Sequence, residues 1–326
     1  MSAYHYASST IQNLKPIIHP SFWYIIANPT AGNGAVERRW KAIEHQLQVL
    51  GFSYSVQFTQ QKGHATRLVQ DALLKGYRNI LGIGGDGTNF ELINGIMSQT
   101  EVPTQDIYYA LLPVGTGNDW ARTYQISHHI ETRLKSLLNP ITHLQDIGHV
   151  QYYTLDDQPE QVYFANVAGM AYDGFVAKKL EDDGKPNAKI AYLIAVARYL
   201  FDYNPSKGRI VWDEAMPVED HFYTINVGIC KYSGGGMQLV PHAIPDDGLF
   251  ALTFARQIPR WEVLLQTPRF YNGSLLQHSK LTGVQVKTAH IESLNEAPIL
   301  LEADGEFLGK CPAAFRILEK SLNVVL

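Results

Sequence analysis

The sequence predicts an α/β domain with a parallel sheet over residues 1–148, followed by a mostly antiparallel β-sandwich domain over residues 149–326. Three observations carry this prediction. Up to about residue 148, short apolar runs alternate with helical patterns, the order that yields a parallel sheet covered on both faces. From about His149 the texture changes to short strand-like runs separated by turn clusters. With 326 residues, 45% of them hydrophobic, the chain is long enough for two cores, since single cores stop growing near about 250–300 residues.

The elements follow in order. FWYIIA, Phe22–Ala27, is a fully apolar strand that ends in the turn residues Asn28-Pro29-Thr30-Ala31-Gly32-Asn33-Gly34. A helix is predicted over 35–50, stopped by Gly51-Phe52, and residues 54–59 alternate as a second strand. Gly63-His64-Ala65-Thr66 opens a helix that runs through Leu74. The stretch 80–97 then reads as strand, glycine turn (Gly84-Gly85-Asp86-Gly87-Thr88) and helix, with Phe90, Leu92, Ile93, Ile96 and Met97 at helical spacing and Thr88 or Asn89 as N-cap. YYALL at 108–112 is a fourth strand, ending at Pro113-Val114-Gly115-Thr116-Gly117-Asn118-Asp119, with a helix beginning near Asp119. In the second half, strands are expected at 152–154, 162–167, 222–230, 249–254, 281–291, 299–303 and 315–326. Helices are expected at 188–201 and 260–276, the latter behind Pro259.

Composition narrows the function classes. Twenty-seven Lys and Arg against 31 Asp and Glu give a formal charge of −4, so no global basic field points to nucleic acid or to electrostatic adsorption on a membrane. Cys230 and Cys311 have no paired spacing, which excludes a disulfide framework and a cysteine-rich zinc module and fits a reducing, cytoplasmic setting. The first 20 residues lack a charged segment followed by an apolar core and read as a short arm rather than a secretory signal. The most apolar long segment, 190–200, contains Arg198 and falls well short of the roughly 20 residues that span a bilayer. The histidines are dispersed, and the adjacent pair His128-His129 cannot share a helix face as a metal pair would.

Parallel sheets bind ligands at the carboxyl ends of their strands. Three loops rich in Gly, Asn and Thr stand at such ends here: 28–34, 84–88 and 113–118. Glycine lets backbone N–H groups approach a ligand, and the positive end of a following helix suits an anion such as phosphate. Taken singly, 84–88 also reads as an ordinary strand-to-helix turn. Shared chemistry at three converging strand ends favours a common ligand. Two carboxylate-bearing turns are open to two readings. Asp304-Gly305 between apolar runs is a hairpin signal, and Asp246-Asp247-Gly248-Leu249 is either a surface turn or a hard-cation site completed by carbonyls and water.

These motifs together resemble the soluble bacterial diacylglycerol kinase family, which is related to sphingosine kinases and more distantly to NAD kinases. The resemblance runs through Asn28-Pro29 with Gly32, GHA at 63–65, GGDGTNFELINGI at 84–96, PVGTGNDWAR at 113–122, Asp146 in QDIG, NVAGMAYDG at 166–174, GGGMQLVPHAIPDDGLF at 234–250 and Asp304-Gly305-Glu306. It implies ATP and Mg²⁺ in a cleft between the domains, with Asn28, Thr30, Gly32, Gly85, Asp86, Gly87, Thr88, Gly115, Thr116, Gly117 and Asn118 around the nucleotide. The glycine turn has no lysine and is not a P-loop, so the phosphates are left to backbone amides and Mg²⁺. Asp86 would orient the Mg²⁺-nucleotide or anchor its loop, or else be a turn-forming aspartate. The resemblance further implies that Asp304 accepts the hydroxyl proton with Glu306 in support, and that a second, structural Mg²⁺ is held by Asp247 and the carbonyls of Leu249 and Ile244, linked to the site through Asp146. Two departures stand out. Trp120 replaces the commoner phenylalanine, and Thr30-Ala31 replaces a serine-bearing loop.

The expected activity is ATP-dependent phosphorylation of a hydroxyl on a membrane-derived lipid such as diacylglycerol, at a peripheral and transient membrane contact. Alternatives are a NAD kinase-like enzyme, against which GTGND and PDDGL speak, and a nucleotide-binding regulator without catalysis, against which Asp86, Asp304 and Glu306 together speak. The lipid, the residues lining its cleft and any homodimer are left open by the sequence.

Overall fold

The computed structural model describes residues 22–184 and 189–326; the predicted N-terminal arm and residue 188 of the predicted 188–201 helix lie outside them. The first unit is built in order from β1 (Phe22–Ala27), α1 (Ala31–Val49), β2 (Ser53–Phe58), α2 (His64–Leu74), β3 (Asn79–Gly84), α3 (Asp86–Ser98), β4 (Tyr108–Pro113), α4 (Asp119–Thr123) and α5 (Ile130–Ser136). The strands pair in parallel in the order β4-β3-β1-β2. Successive side chains of a strand point to opposite faces, and here both faces are buried. Trp23, Ile25 and Ala27 pack with Val36, Ile43 and Leu47 of α1 and Leu134 of α5. Tyr24 and Ile26 pack the other way, with Val69 of α2 and Leu92, Ile93 and Ile96 of α3. This two-sided burial is why β1, β3 and β4 read as apolar runs, whereas the partly exposed edge strand β2 alternates.

The second unit comprises β5 (Thr142–Tyr153), β6 (Pro159–Phe164), β7 (Val167–Ala171), α6 (Tyr172–Asp183), α7 (Lys189–Asp202), β8 (Ser206–Trp212), β9 (Val218–Gly228), β10 (Tyr232–Ser233), β11 (Met237–Gln238), β12 (Phe250–Arg256), α8 (Arg260–Leu265), α9 (Thr267–Asn272), β13 (Leu281–Val286), β14 (Thr288–Ser293), β15 (Leu300–Ala303) and β16 (Glu306–Val325). Its strands pair antiparallel, in the order β13-β12-β9-β7-β15-β16, with β5, β6, β8 and β14 branching from this path. The last strand joins the units: Asn323 and Val324 of β16 lie parallel to Tyr108 and Tyr109 of β4. Arg133 of α5, buried, donates to the carbonyls of Leu111 (2.9 Å) and Val325 (2.7 Å) across the same seam.

Several sequence boundaries shift. The division at 148/149 falls inside β5, which is one long strand where only 152–154 was expected. The 281–291 strand is two, β13 and β14, and 315–326 is the end of the 20-residue β16. The 260–276 helix breaks into α8 and α9, with Pro268 at the start of α9. Neither α6 nor β8 was expected from the sequence.

Candidate active site

Three loops meet where β1, β3 and β4 end. In the first, the Asn28 side chain organises the turn: its Oδ1 accepts from the Thr30 amide (3.1 Å) and hydroxyl (2.8 Å), and its Nδ2 donates to Thr88 Oγ1 (3.0 Å). Gly32, Asn33 and Gly34 follow with φ of 59, 58 and 77°, a left-handed run that delays regular α1 geometry. In the second loop α3 begins at Asp86, so the N-cap is Gly85 rather than Thr88 or Asn89. Those two residues have other tasks. Thr88 folds back over Gly84, where a Cβ would lie 2.4 Å from its Oγ1. Asn89, 2% exposed, accepts a hydrogen bond from the Tyr109 hydroxyl (2.7 Å) in the core.

Asp86 anchors the third loop. One of its carboxylate oxygens accepts from Asn118 N (2.7 Å), the other from Asp119 N (3.0 Å). Gly117 is pressed against it, and a Cβ there would lie 2.7 Å from Asp86 Oδ2. Burial, with the nearby Asp119 charge adding to it, pushes the Asp86 carboxyl well above the usual carboxylate range. Asp119 in turn accepts from Gly235 N (2.7 Å), tying the loop to the 233–236 turn of the second unit. Asn118 is 3% exposed and turned inward, donating to the Gly115 carbonyl (2.8 Å). It shapes the loop.

The second unit brings Asp304 to face these loops. Asp304 and Gly305 form the two-residue turn between β15 and β16, both at positive φ (51 and 84°). The hairpin reading is therefore correct, and the same turn lines the cavity shared with the loops of the first unit. Asp304 accepts three backbone amides, from Ala165 (2.9 Å), Asn166 (3.0 Å) and Val167 (3.1 Å). Burial nevertheless pushes its carboxyl up to about 6, against the lowering pull of those amides. Glu306, the first residue of β16, lies against α3: its Oε1 is 3.0 Å from where a Cβ on Gly87 would sit.

Two adjoining cavities share these walls. One, of about 790 Å³, is lined by Thr30, Gly32, Asp86, Gly87, Thr116 and Gly117 from the first unit and Asp304 and Glu306 from the second. It continues between α6, α7, α8 and α9, along Val176, Leu180, Val196, Leu200, Val263 and Phe270. The other, of about 700 Å³, is lined by Asn28, Gly85, Thr88, Gly115, Glu306 and the 59–66 segment. Glu91 of α3 fixes that segment by accepting from Gly63 N (2.7 Å) and Ala65 N (3.0 Å).

Sequence reasoning missed a buried polar group in the larger cavity. Asp173, Thr224 and Glu302 line it, and Glu302 and Asp173 crowd Gly169, where a Cβ would lie 2.5 Å from Glu302 Oε1. Thr224 donates to Asp173, and Asn226, 1% exposed, donates to Thr224 (2.7 Å). Burial raises the Asp173 carboxyl to about 6. Asp173 stood inside the quoted 166–174 stretch, so the signal was present without a role attached.

The loop predicted to hold a second metal is closed by hydrogen bonds in this structure. Asp247 accepts from Leu249 N (3.0 Å) and from Gln285 Nε2 (2.9 Å). Ile244 is 47% exposed. Asp146, fully buried, accepts from Gly248 N (2.7 Å) and Lys320 N (2.6 Å). This is the chemistry of a closed turn. Among the described residues no group of three or more His, Cys, Asp or Glu converges in a metal-ligating arrangement. The link from this loop to the site runs through the neighbouring Gln145, which accepts from Trp120 Nε1 (2.9 Å) and donates to the Ala165 carbonyl (2.7 Å), one peptide from the Asp304 contacts.

Comparison with known proteins agrees with this architecture. Residues 23–150 match the diacylglycerol kinase catalytic domain, and residues 166–326 match the YegS C-terminal NAD kinase beta sandwich-like domain. The chain is 28% identical over 306 residues to a diacylglycerol kinase of Staphylococcus haemolyticus, covering 92% of this chain and 86% of that one. It is 25% identical over 302 residues to a diacylglycerol kinase of Mycobacterium tuberculosis, covering 92% and 93%. A solved structure of a diacylglycerol kinase from Bacillus anthracis is similar in fold, with a TM-score of 0.69 at 21% identity over 93% of this chain and 96% of that one. The chain belongs to the diacylglycerol kinase and lipid kinase family, pairing that family's catalytic domain with a NAD kinase β-sandwich-like domain.

Proposed function

We propose that the chain is an ATP-dependent lipid kinase that transfers the γ-phosphoryl group to a hydroxyl of a membrane-derived lipid such as diacylglycerol, at a site between its two units. The observation that carries this reading is one continuous cavity with the glycine loops and Asp304 at one part and an apolar passage between helices at the other. A nucleotide suits the first part. An alkyl chain suits the second, whose walls are Val, Leu and Phe.

Phosphoryl transfer asks mainly for positioning and electrostatic stabilisation. The lipid hydroxyl oxygen forms a bond to the γ-phosphorus as the bond to the β-phosphate oxygen breaks, and the hydroxyl proton passes to Asp304. Three amides hold that carboxylate in place, and burial keeps it a better proton acceptor than an ordinary aspartate. Asp173, Thr224 and Glu302 offer polar partners beside the apolar wall for the oxygen-bearing part of the lipid. Mg²⁺ arriving with the nucleotide would add Lewis-acid neutralisation of the phosphates, with Asp86 and Glu306 lining the cavity beside them.

Among the described residues no helix is long and apolar enough to cross a membrane. Access to a bilayer lipid would come from the helices that wall the passage. Their outward residues Ile194, Phe201, Trp261 and Leu265 are exposed, and Arg260 braces α8 on the end of α7 through the Tyr203 carbonyl (2.9 Å). Apolar side chains displayed beside a cavity mouth suit shallow, reversible insertion among headgroups. A cytoplasmic protein with transient membrane contact is the setting this implies.

The test is transfer of labelled γ-phosphate to a panel of purified lipids and NAD with Mg²⁺, comparing the wild type with Asp304→Asn. Label in a lipid, lost by about 10²- to 10⁴-fold in the variant while ATP still binds, is the expected result. Label in NAD, or ATP binding with no transfer to any acceptor, would overturn the reading.

A further inference from the structure

A nucleotide triphosphate carries several negative charges, and the walls that would receive it are acidic: Asp86, Asp119, Asp304, Glu306 and Glu91 line the two cavities. Among the described residues that line them, Lys62 alone bears a fixed positive charge. Arg38 and Arg122 come near but are occupied elsewhere. Arg38 donates to the Asn33 carbonyl (2.6 Å), and Arg122 pairs with Asp119 (3.7 Å) and lies over the Tyr232 ring.

Lys62 is placed by the first unit and held by the second. It stands just before Gly63, whose amide is pinned to Glu91 (2.7 Å), so its backbone is tied to α3 two turns below the glycine loop. Its Nζ lies 3.1 Å from Glu306 Oε2, with the lysine side chain 73% exposed and the glutamate 19% exposed. Glu306 lines both cavities and abuts Gly87. The ion pair therefore spans the seam at the height of the first turn of α3.

We propose that Lys62 is the phosphate-binding cation of this site, which exchanges its contact with Glu306 for the β- and γ-phosphate oxygens when the nucleotide binds. The inference rests on the kinase reading above. An ion pair whose cationic member is largely exposed is weak and readily exchanged, whereas a phosphate offers the ammonium more charge and several acceptor oxygens. Although burial works against it, the Glu306 charge and hydrogen bond hold the Lys62 ammonium above its ordinary pKa, so it stays charged at neutral pH. The lysine missing from the glycine turn is thus supplied by the neighbouring 59–66 segment.

The experiment compares wild type, Lys62→Met and Lys62→Arg by equilibrium titration with ATP, ADP and AMP and by steady-state transfer kinetics. In Lys62→Met, ATP affinity and kcat/KM for ATP are expected to fall about 10- to 100-fold and AMP affinity to change less than about twofold, with Lys62→Arg recovering most of the loss. Unchanged ATP affinity and kcat/KM in Lys62→Met would overturn the proposal. An equal loss for ATP and AMP would overturn it too, since it would assign Lys62 to the nucleoside or to folding of its loop. A wild type that binds ATP without transferring phosphate would sink the kinase reading alone, and one that binds no ATP would sink both.

Discussion

Asp304 is a single residue asked to do two things. As the first residue of a tight turn it sits at φ 51°, a conformation that Asn and Asp tolerate better than most side chains. As a carboxylate it is fixed by three amides and lifted to about 6 by burial. The folded protein therefore holds this proton to higher pH than the unfolded chain, and Asp304 contributes stability that declines as pH rises between 3.8 and about 6. Activity runs the opposite way, because only the ionised form accepts a proton. The pH profile of kcat/KM for the acceptor is expected to show an acid limb near pH 6; a profile flat from pH 5 to 8 would remove Asp304 from the base role. Asp86 is a different case, since its carboxylate satisfies two amides of the third loop. Asp86→Ala would strand both, at a cost of about 1–3 kcal/mol in stability, and nucleotide affinity would fall with it. Thermal denaturation and ATP titration of the same variant measure the two effects.

Elements explain why the loops converge. Gly95 lets α3 close on α2: a Cβ there would lie 2.2 Å from Val69 Cγ1 and 2.7 Å from the Thr66 carbonyl. Gly95→Ala must push the helices apart, and a loss of about 1–3 kcal/mol is expected, read as a lowered Tm. Because Glu91 on α3 holds the Gly63 and Ala65 amides, the same variant would also displace Lys62 and weaken nucleotide binding. Helices α7 and α8 carry the membrane side of the proposal. Trp261→Asp with Leu265→Asp is expected to weaken sedimentation with lipid vesicles severalfold while leaving ATP affinity in solution unchanged. Vesicle binding equal to wild type would place the membrane contact elsewhere.

At the scale of the whole molecule, β16 makes the two units one cooperative structure. Leu322, Val324 and Val325 are buried at 0–1% exposure, beside β4 and β5, so the far end of the strand that begins at Glu306 completes the nucleotide-side sheet. Leu322→Ala is expected to cost about 2–5 kcal/mol. It should lower the melting of both units together, as followed by fluorescence of Trp23 or Trp40 in the first and Trp212 in the second. Independent transitions would contradict that coupling.

By itself the sequence determined the alternation of strands and helices, the change of texture after His149 and the three loops at strand ends, because apolar periodicity and glycine chemistry are local. It also determined the family, since the stretches from GGDGT to Asp304-Gly305-Glu306 are contiguous words. Only the tertiary structure decided the rest. Asn89 looks like a cap residue, yet it turns inward, because its partner, Tyr109, is fixed by packing. In the PDDGL loop, the partners that hold the Asp247 carboxylate, the Leu249 amide and Gln285, are set by the fold. Gln145 and Asp173 lay in quoted stretches without a role attached, and Lys62 carried no motif of its own. Each gains its role from residues about 20 to 240 positions away, a separation that local pattern does not encode and that only the packing of distant elements brings within hydrogen-bond distance.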